Sequence, residues 1–199
     1  MIRLAITQRV DIHPVYHERR DALDQRWQLL ADAANVELLR LPNNAAAALS
    51  LLKAIPVQGL IFSGGNTLTS LGGDAPERDE TELALLTLAV KQHMPVLGVC
   101  RGMQFIQHYF GQTLIPVTGH VSQQITISAG SEIRQVNSYH QWGSYNCPAP
   151  LIVTAKAADG VVKACRHDTL PLFGIMWHPE RMSAFDPLDL QLIKGFSQK

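Results

Sequence analysis

No charge of either sign predominates in this sequence: 17 basic residues meet 17 acidic ones over 199 positions, for a formal net charge of zero. Without a basic field, nucleic acid is not an expected partner. No apolar run approaches the roughly 20 residues that span a bilayer. Met1 to Val10 has neither the continuous apolar segment nor the small-residue cleavage site of a secretory leader, so a cytosolic location is expected. Cysteine is scarce. Cys100, Cys147 and Cys165 are odd in number and lack zinc-type pair spacing, which argues against a disulfide framework and leaves at least one thiol for another purpose. Asp11, His13 and His17 are too irregularly spaced to argue for a metal site. There is no internal repeat and no low-complexity linker.

What is present is ordinary for a globular protein: 46% apolar and 17% charged residues, in a length that suits one compact domain over 1–199. Short β-branched runs at Arg3 to Thr7, Glu37 to Leu41, Gly59 to Phe62 and Val96 to Val99 alternate with helical patterns. Leu23, Trp27, Leu30 and Ala34 share one helical face, as do Leu83, Leu86 and Val90. Such alternation predicts an α/β fold with a mostly parallel central sheet and helices on both faces. Further on, Gln124 to Ile127, Ile133 to Val136, Leu151 to Ala155 and Val161 to Cys165 read as short antiparallel strands before Leu172 to Met176 rejoins the sheet. A last helix is expected with Asp186 as cap, Pro187 in its first turn, and Leu188, Leu192 and Phe196 as its buried stripe.

The most informative stretch is Val96-Leu97-Gly98-Val99-Cys100-Arg101-Gly102-Met103-Gln104, a strand running into a helix whose buried face carries Met103, Ile106 and Phe110. Glycines two before and two after Cys100 permit the tight, strained turn that lifts a nucleophile above a sheet edge. The unpaired N–H groups at the helix start, helped by the Arg101 cation, stabilise a thiolate there. A buried core cysteine is the competing reading, and paired glycines are hard to explain by packing alone.

Near the C-terminus, Phe173-Gly174-Ile175-Met176-Trp177-His178-Pro179-Glu180 again ends an apolar strand in polar residues. Ligands bind at that edge of an open α/β sheet, and Cys100 emerges there too. A thiol nucleophile needs an imidazole to move its proton, and the imidazole needs a carboxylate to fix its tautomer; His178 and Glu180 supply both. Leu60-Ile61-Phe62-Ser63-Gly64-Gly65-Asn66 is a third strand ending in glycines. Its amides at Gly64 and Gly65 can approach a ligand, and the Gly65 and Arg101 amides are the expected oxyanion hole.

With these motifs together, the chain resembles the class I glutamine amidotransferase family, which carries the G-x-C-x-G elbow, the upstream Gly-Gly loop and the C-terminal His-Pro-Glu. The resemblance spans nearly the whole chain and implies a flavodoxin-like fold. It also implies that Gln104 and the backbone of Ser138 and Tyr139, in Val136-Asn137-Ser138-Tyr139-His140, hold the glutamyl end of a substrate. Cys-Arg-Gly and Arg78-Asp79 look like the γ-glutamyl hydrolase branch (peptidase C26). Ile6-Thr7-Gln8-Arg9, the Tyr16 to Asp24 stretch, Trp27 and Trp177-His178 are similar to a narrower group, the γ-glutamyl-CDP-amidate hydrolases, which serve the phosphoramidate decoration of bacterial capsules.

The chemistry this implies is cysteine-dependent hydrolysis of a γ-glutamyl amide through a glutamyl thioester, releasing glutamate and, for the narrower group, CDP-NH2. It requires neither metal nor organic cofactor. Arg9, His17, Arg19, Arg20 and Arg101 are candidates to meet a pyrophosphate, with surface solvation the competing fate. The expected partner is a small γ-glutamyl molecule, nucleotide-linked on the narrower resemblance, with a homodimer open to the chain. The rival readings are γ-glutamyl-γ-aminobutyrate hydrolysis, a glutaminase subunit feeding a separate synthase, a silent γ-glutamyl-binding module, and a cysteine peptidase or chaperone-like relative. Gly72-Gly73-Asp74-Ala75-Pro76 is a candidate rim over the pocket.

Overall fold

Alternation of apolar residues is what divides this chain between two sides of one sheet. The structure, a computed structural model, describes residues 2–198. In chain order, β1 (Ile2–Ile6) leads into a hairpin of β2 (Arg9–Ile12) and β3 (Arg19–Ala22), then α1 (Arg26–Ala33), β4 (Val36–Arg40), α2 (Ala45–Ala54), β5 (Gly59–Phe62), α3 (Pro76–Gln92), β6 (Val96–Val99) and α4 (Arg101–Tyr109). The second half adds β7 (Ile115–Pro116), β8 (Val121–Ala129), β9 (Glu132–Tyr139), β10 (Trp142–Gly143), β11 (Leu151–Ala157), β12 (Val162–His167), β13 (Leu172–Ile175) and α5 (Pro187–Gly195). The main sheet runs β4-β1-β5-β6-β13-β12-β11-β8-β9. The strands from β4 to β13 are parallel, and every pairing beyond β13 is antiparallel.

Every residue of β5 and β6 is buried, as expected of central parallel strands covered on both faces. Leu4, Ile6, Ile61, Leu97 and Val99 face a core shared with α1 and α5, while Ala5, Leu60, Phe62 and Val96 face α2, α3 and α4. In β11, by contrast, Leu151, Ala155 and Ala157 are buried and Ile152, Thr154 and Lys156 are exposed, the period-two pattern of a strand with one wet face. The antiparallel strands extend the same sheet, so the α/β arrangement expected from the sequence holds.

Three helix details differ from the sequence expectation. Leu23 lies ahead of α1, outside its stripe. In α3, Leu83 is exposed, and the buried face carries Arg78, Thr81, Glu82, Leu85, Leu86 and Ala89. An Arg78–Glu82 ion pair one turn apart takes places that periodicity assigns to apolar residues. Asp186 caps α5 as expected, accepting from the Leu188 amide at 2.8 Å. Leu188 is nevertheless exposed, and Asp189, Ile193 and Phe196 form the buried stripe. Asp189 tolerates burial there because the Trp177 Nε1–H donates to it at 3.1 Å and Arg134 pairs with it at 3.1 Å.

Because β1, β5, β6 and β13 are parallel, their C-terminal ends share one edge. Thr7, Ser63, Cys100 and the segment reaching His178 therefore emerge side by side.

Candidate active site

Cys100 occupies the single step between β6 and α4, with φ +53° and ψ −104°, a combination that side-chain-bearing residues rarely adopt. Its amide donates to the Ile175 carbonyl at 2.7 Å, and its carbonyl accepts from the Gln104 amide at 3.0 Å, so strand and helix hold the strain from both sides. The flanking glycines are required by contact. A Cβ on Gly98 would lie 2.5 Å from the Gly102 carbonyl carbon, and one on Gly102 would run into the backbone of Phe62.

His178 is fixed through its backbone and its ring. Its amide donates to Asn137 Oδ1 at 2.7 Å, and Asn137 Nδ2 donates to its carbonyl at 2.8 Å. Nδ1 lies 2.7 Å from Glu180 Oε1, with both side chains buried. Burial works against charging this imidazole, but attraction and a hydrogen bond to Cys100, with the Glu180 carboxylate behind, outweigh it and raise His178 to about 9. The Nδ1–H···carboxylate bond leaves Nε2 for Cys100. Arg26 of α1 clasps the turn by donating to the carbonyls of Glu180, at 2.6 Å, and Met182. Gly64 sits against the Cε1 edge of the ring: a Cβ there would lie 2.5 Å from His178 Cε1.

The Ser63–Asn66 loop is held by a buried arginine. Arg78 donates to the carbonyls of Ser63 at 2.6 Å, Gly64 at 3.1 Å and Gly65 at 2.6 Å, and to Asn66 Oδ1 at 3.2 Å. Burial and the neighbouring Arg101 cation lower Arg78 to about 10 against the pull of Glu82, so it stays charged near neutrality. Glu82 also accepts from Thr7 Oγ1 at 2.8 Å and pairs with Arg101, while Arg101 pairs with Asp79 as well. The Arg101 guanidinium is thus balanced by two α3 carboxylates, which leaves little of its charge for the thiolate that the sequence assigns to it.

A cleft of about 580 Å³ opens over this edge, lined by Gly65, Cys100, Arg101, Gln104, Tyr139, His178 and Arg181, with Gly72, Gly73 and Asp74 as part of its rim. Gln104 Nε2 donates to the Trp142 carbonyl at 2.8 Å, and the Tyr139 ring meets His178 edge-on at 5.8 Å. Ser138 lies behind the wall, its Oγ donating to the His120 carbonyl and accepting from Lys163 Nζ, both at 2.8 Å. Fully buried Lys163 also reaches His140 Nε2 at 2.7 Å. Burial and that cation lower His140 to about 3, so it is neutral; Nδ1 donates to the Trp142 carbonyl at 2.9 Å and Nε2 accepts from Lys163. Burial likewise lowers Lys163 to about 8, although the charge at Cys100 favours its cation.

The structure gathers Cys100, His178, Glu180, Gly64, Gly65, Arg101, Gln104 and Tyr139 around one centre, with Ser138 immediately behind. The candidate phosphate contacts are less united. His17 sits exposed on the β2–β3 connection, away from the cleft lining. Arg9 lines two adjoining depressions and pairs with Asp11 at 2.6 Å. Arg19 pairs with Glu77 and Arg20 with Glu18. Sequence reasoning misses Asn137 as the clasp on His178, Lys163 and Arg181. Asn137 lies inside a motif already noticed and Arg181 directly follows His-Pro-Glu, whereas Lys163 stands in an apolar strand with no local signal. Cys147 is lowered to about 7 chiefly by a hydrogen bond with Cys165, which packs against Gly174.

Comparison with known proteins agrees with this architecture. The chain is 29% identical over 197 residues to a gamma-glutamyl-CDP-amidate hydrolase of Campylobacter jejuni, covering 96% of this chain and 95% of that one. It is 28% identical over 180 residues to anthranilate synthase component 2 of Methanothermobacter marburgensis, covering 83% and 84%. Among solved structures, a glutamine amidotransferase of Thermotoga maritima aligns with a TM-score of 0.68 at 15% identity, covering 90% of this chain and 76% of that one. A glutamine amidotransferase of Methylobacillus flagellatus aligns with a TM-score of 0.62 at 17% identity, covering 91% and 71%. The sequence model described as Glutamine amidotransferase class-I matches residues 23–195, and the chain belongs to that family.

Proposed function

We propose that this protein hydrolyses a γ-glutamyl amide by cysteine catalysis, with γ-glutamyl-CDP-amidate as substrate and glutamate and CDP-NH2 as products. The observation that carries the reading is Cys100 on a strained elbow, opposite an imidazole raised to about 9 and backed by Glu180. Similarity to the Campylobacter jejuni enzyme along almost the full length of both chains supports the choice of substrate.

In this mechanism the Cys100 thiolate attacks the γ-carbonyl carbon, and the Gly65 and Arg101 amides receive the charge that develops on oxygen. His178, protonated in the resting pair, gives its proton to the departing nitrogen as the C–N bond breaks. The glutamyl group remains on Cys100 as a thioester. Water, deprotonated by His178, adds to that carbonyl; collapse expels the thiolate, releases glutamate and restores the pair. Gln104 and the backbone of Ser138 and Tyr139 hold the amino-acid end.

A second reading, a glutaminase subunit serving a separate synthase, is favoured by the similarity to anthranilate synthase component 2. Parallel assays of the purified protein on γ-glutamyl-CDP-amidate, γ-glutamyl-γ-aminobutyrate and glutamine separate these readings. The proposal expects kcat/KM to be highest for the nucleotide amide without any partner. Preference for glutamine, with stimulation by an added synthase, would replace it with the second reading.

A further inference from the structure

We propose that Arg181 is a specificity-determining residue of the cleft and takes the phosphoryl oxygens of an anionic leaving group. This rests on the γ-glutamyl hydrolase reading and deepens it. Among the described residues, the basic side chains lining the cleft are Arg101, His140, His178 and Arg181. Three are committed. Arg101 is buried between Asp79 and Glu82, His140 is neutral between Trp142 and Lys163, and His178 serves Cys100 and Glu180.

Arg181 differs from these three. Its side chain is one-third exposed (33%), and its nearest carboxylate, Glu180 Oε1, is 3.5 Å from Nε. That is long beside the roughly 2.7–2.9 Å of a charge-assisted hydrogen bond, so most of its five donors remain for a ligand. The guanidinium lies 5.1 Å from the centre of the Tyr139 ring, a cation–π contact that holds it against the cleft wall. A planar fork of this kind matches phosphoryl oxygens two at a time.

Its position in the chain adds to the case. The Arg181 amide donates to the His178 carbonyl at 3.1 Å, so both side chains leave the same tight turn. In a γ-glutamyl phosphoramidate the phosphorus is bonded directly to the nitrogen that His178 would protonate. Phosphoryl oxygens therefore fall next to the imidazole, in the cleft that Arg181 also lines. The cleft lies within the roughly 300–1,000 Å³ of sites for larger ligands, more than a glutamyl group alone needs.

The test compares wild type, Arg181→Lys and Arg181→Met on γ-glutamyl-CDP-amidate and on uncharged γ-glutamyl-p-nitroanilide. Calorimetric titration of CDP into Cys100→Ala and Cys100→Ala/Arg181→Met reads binding without turnover. Arg181→Met is expected to raise KM for the nucleotide amide by about tenfold to a hundredfold, leave the neutral amide unchanged and weaken CDP binding in step, with partial recovery in Arg181→Lys. Equal losses on both substrates would assign Arg181 to the glutamyl end or to Glu180 and overturn the proposal, as would no loss on either. CDP binding that depends on Arg181 in a protein releasing no glutamate would keep this inference and reject the hydrolase reading. Glutamate release with CDP binding indifferent to Arg181 would do the reverse.

Discussion

Arg78 Nη1 donates to the carbonyl of Gly65 at 2.6 Å, although the two residues belong to different elements and the arginine is completely buried. Through this bond and its partners at Ser63 and Gly64, α3 sets the orientation of the loop whose Gly65 lines the cleft. Glu82 ties the same arginine to Thr7 and to Arg101 at the head of α4. Both segments proposed to form the oxyanion hole thus hang on one buried ion network.

Removing a partner from that network leaves an uncompensated buried charge. Arg78→Met and Glu82→Gln are each expected to cost about 3–5 kcal/mol of stability. Urea denaturation measures the loss, and single-turnover rates on the folded fraction are expected to fall as the Gly65 amide loses its placement.

Gly64 offers a more local perturbation. Gly64→Ala would drive a methyl group to 2.5 Å from His178 Cε1, so the imidazole must move. A displacement of about 1 Å costs on the order of a hundredfold in rate. Steady-state kinetics should show kcat falling by that order, with the thermal transition little changed.

The elbow glycines predict the opposite balance. Gly98→Ala presses a methyl group against the Gly102 carbonyl, and overpacking of this sort costs about 1–3 kcal/mol or more. Chemical denaturation is expected to register that loss together with reduced alkylation of Cys100 by iodoacetamide.

His178 sets the alkaline limb. Its value in the fold, about 9, lies above the ordinary 6.5, so folding favours the imidazolium. Stabilisation from this group is fully present below about pH 6.5 and is lost as pH climbs through about 9. A pH profile of kcat/KM should hold up to that region and decline above it, as the proton for the leaving nitrogen is lost. Glu180→Gln removes one of the influences that raise His178, and should bring the decline to lower pH.

The parts of this arrangement legible in the sequence are those with local causes. Gly98 and Gly102 declare a close strand–helix approach because only glycine fits, and the runs ending at Phe62, Val99 and Ile175 declare central parallel strands by their unbroken apolarity. In α3, by contrast, buried Arg78 and Glu82 take positions that hydrophobic periodicity gives to apolar side chains. Their burial depends on each other and on Ser63, Thr7 and Arg101, partners up to 75 residues away that no window of sequence brings together. Lys163 is hidden for a similar reason: its partners Ser138 and His140 lie on β9 and just beyond it, and they meet only when the antiparallel strands assemble. Arg101 is recognisable as a cation at the elbow, but its direction toward Asp79 and Glu82 is a tertiary fact.

The proposed mechanism places the glutamyl group on Cys100. Its most direct test is intact-mass analysis of wild type and Cys100→Ala, acid-quenched during turnover of γ-glutamyl-CDP-amidate. That mechanism requires a glutamyl adduct mapped to Cys100 in wild type, with neither adduct nor glutamate release in Cys100→Ala. Undiminished glutamate release by Cys100→Ala would contradict it.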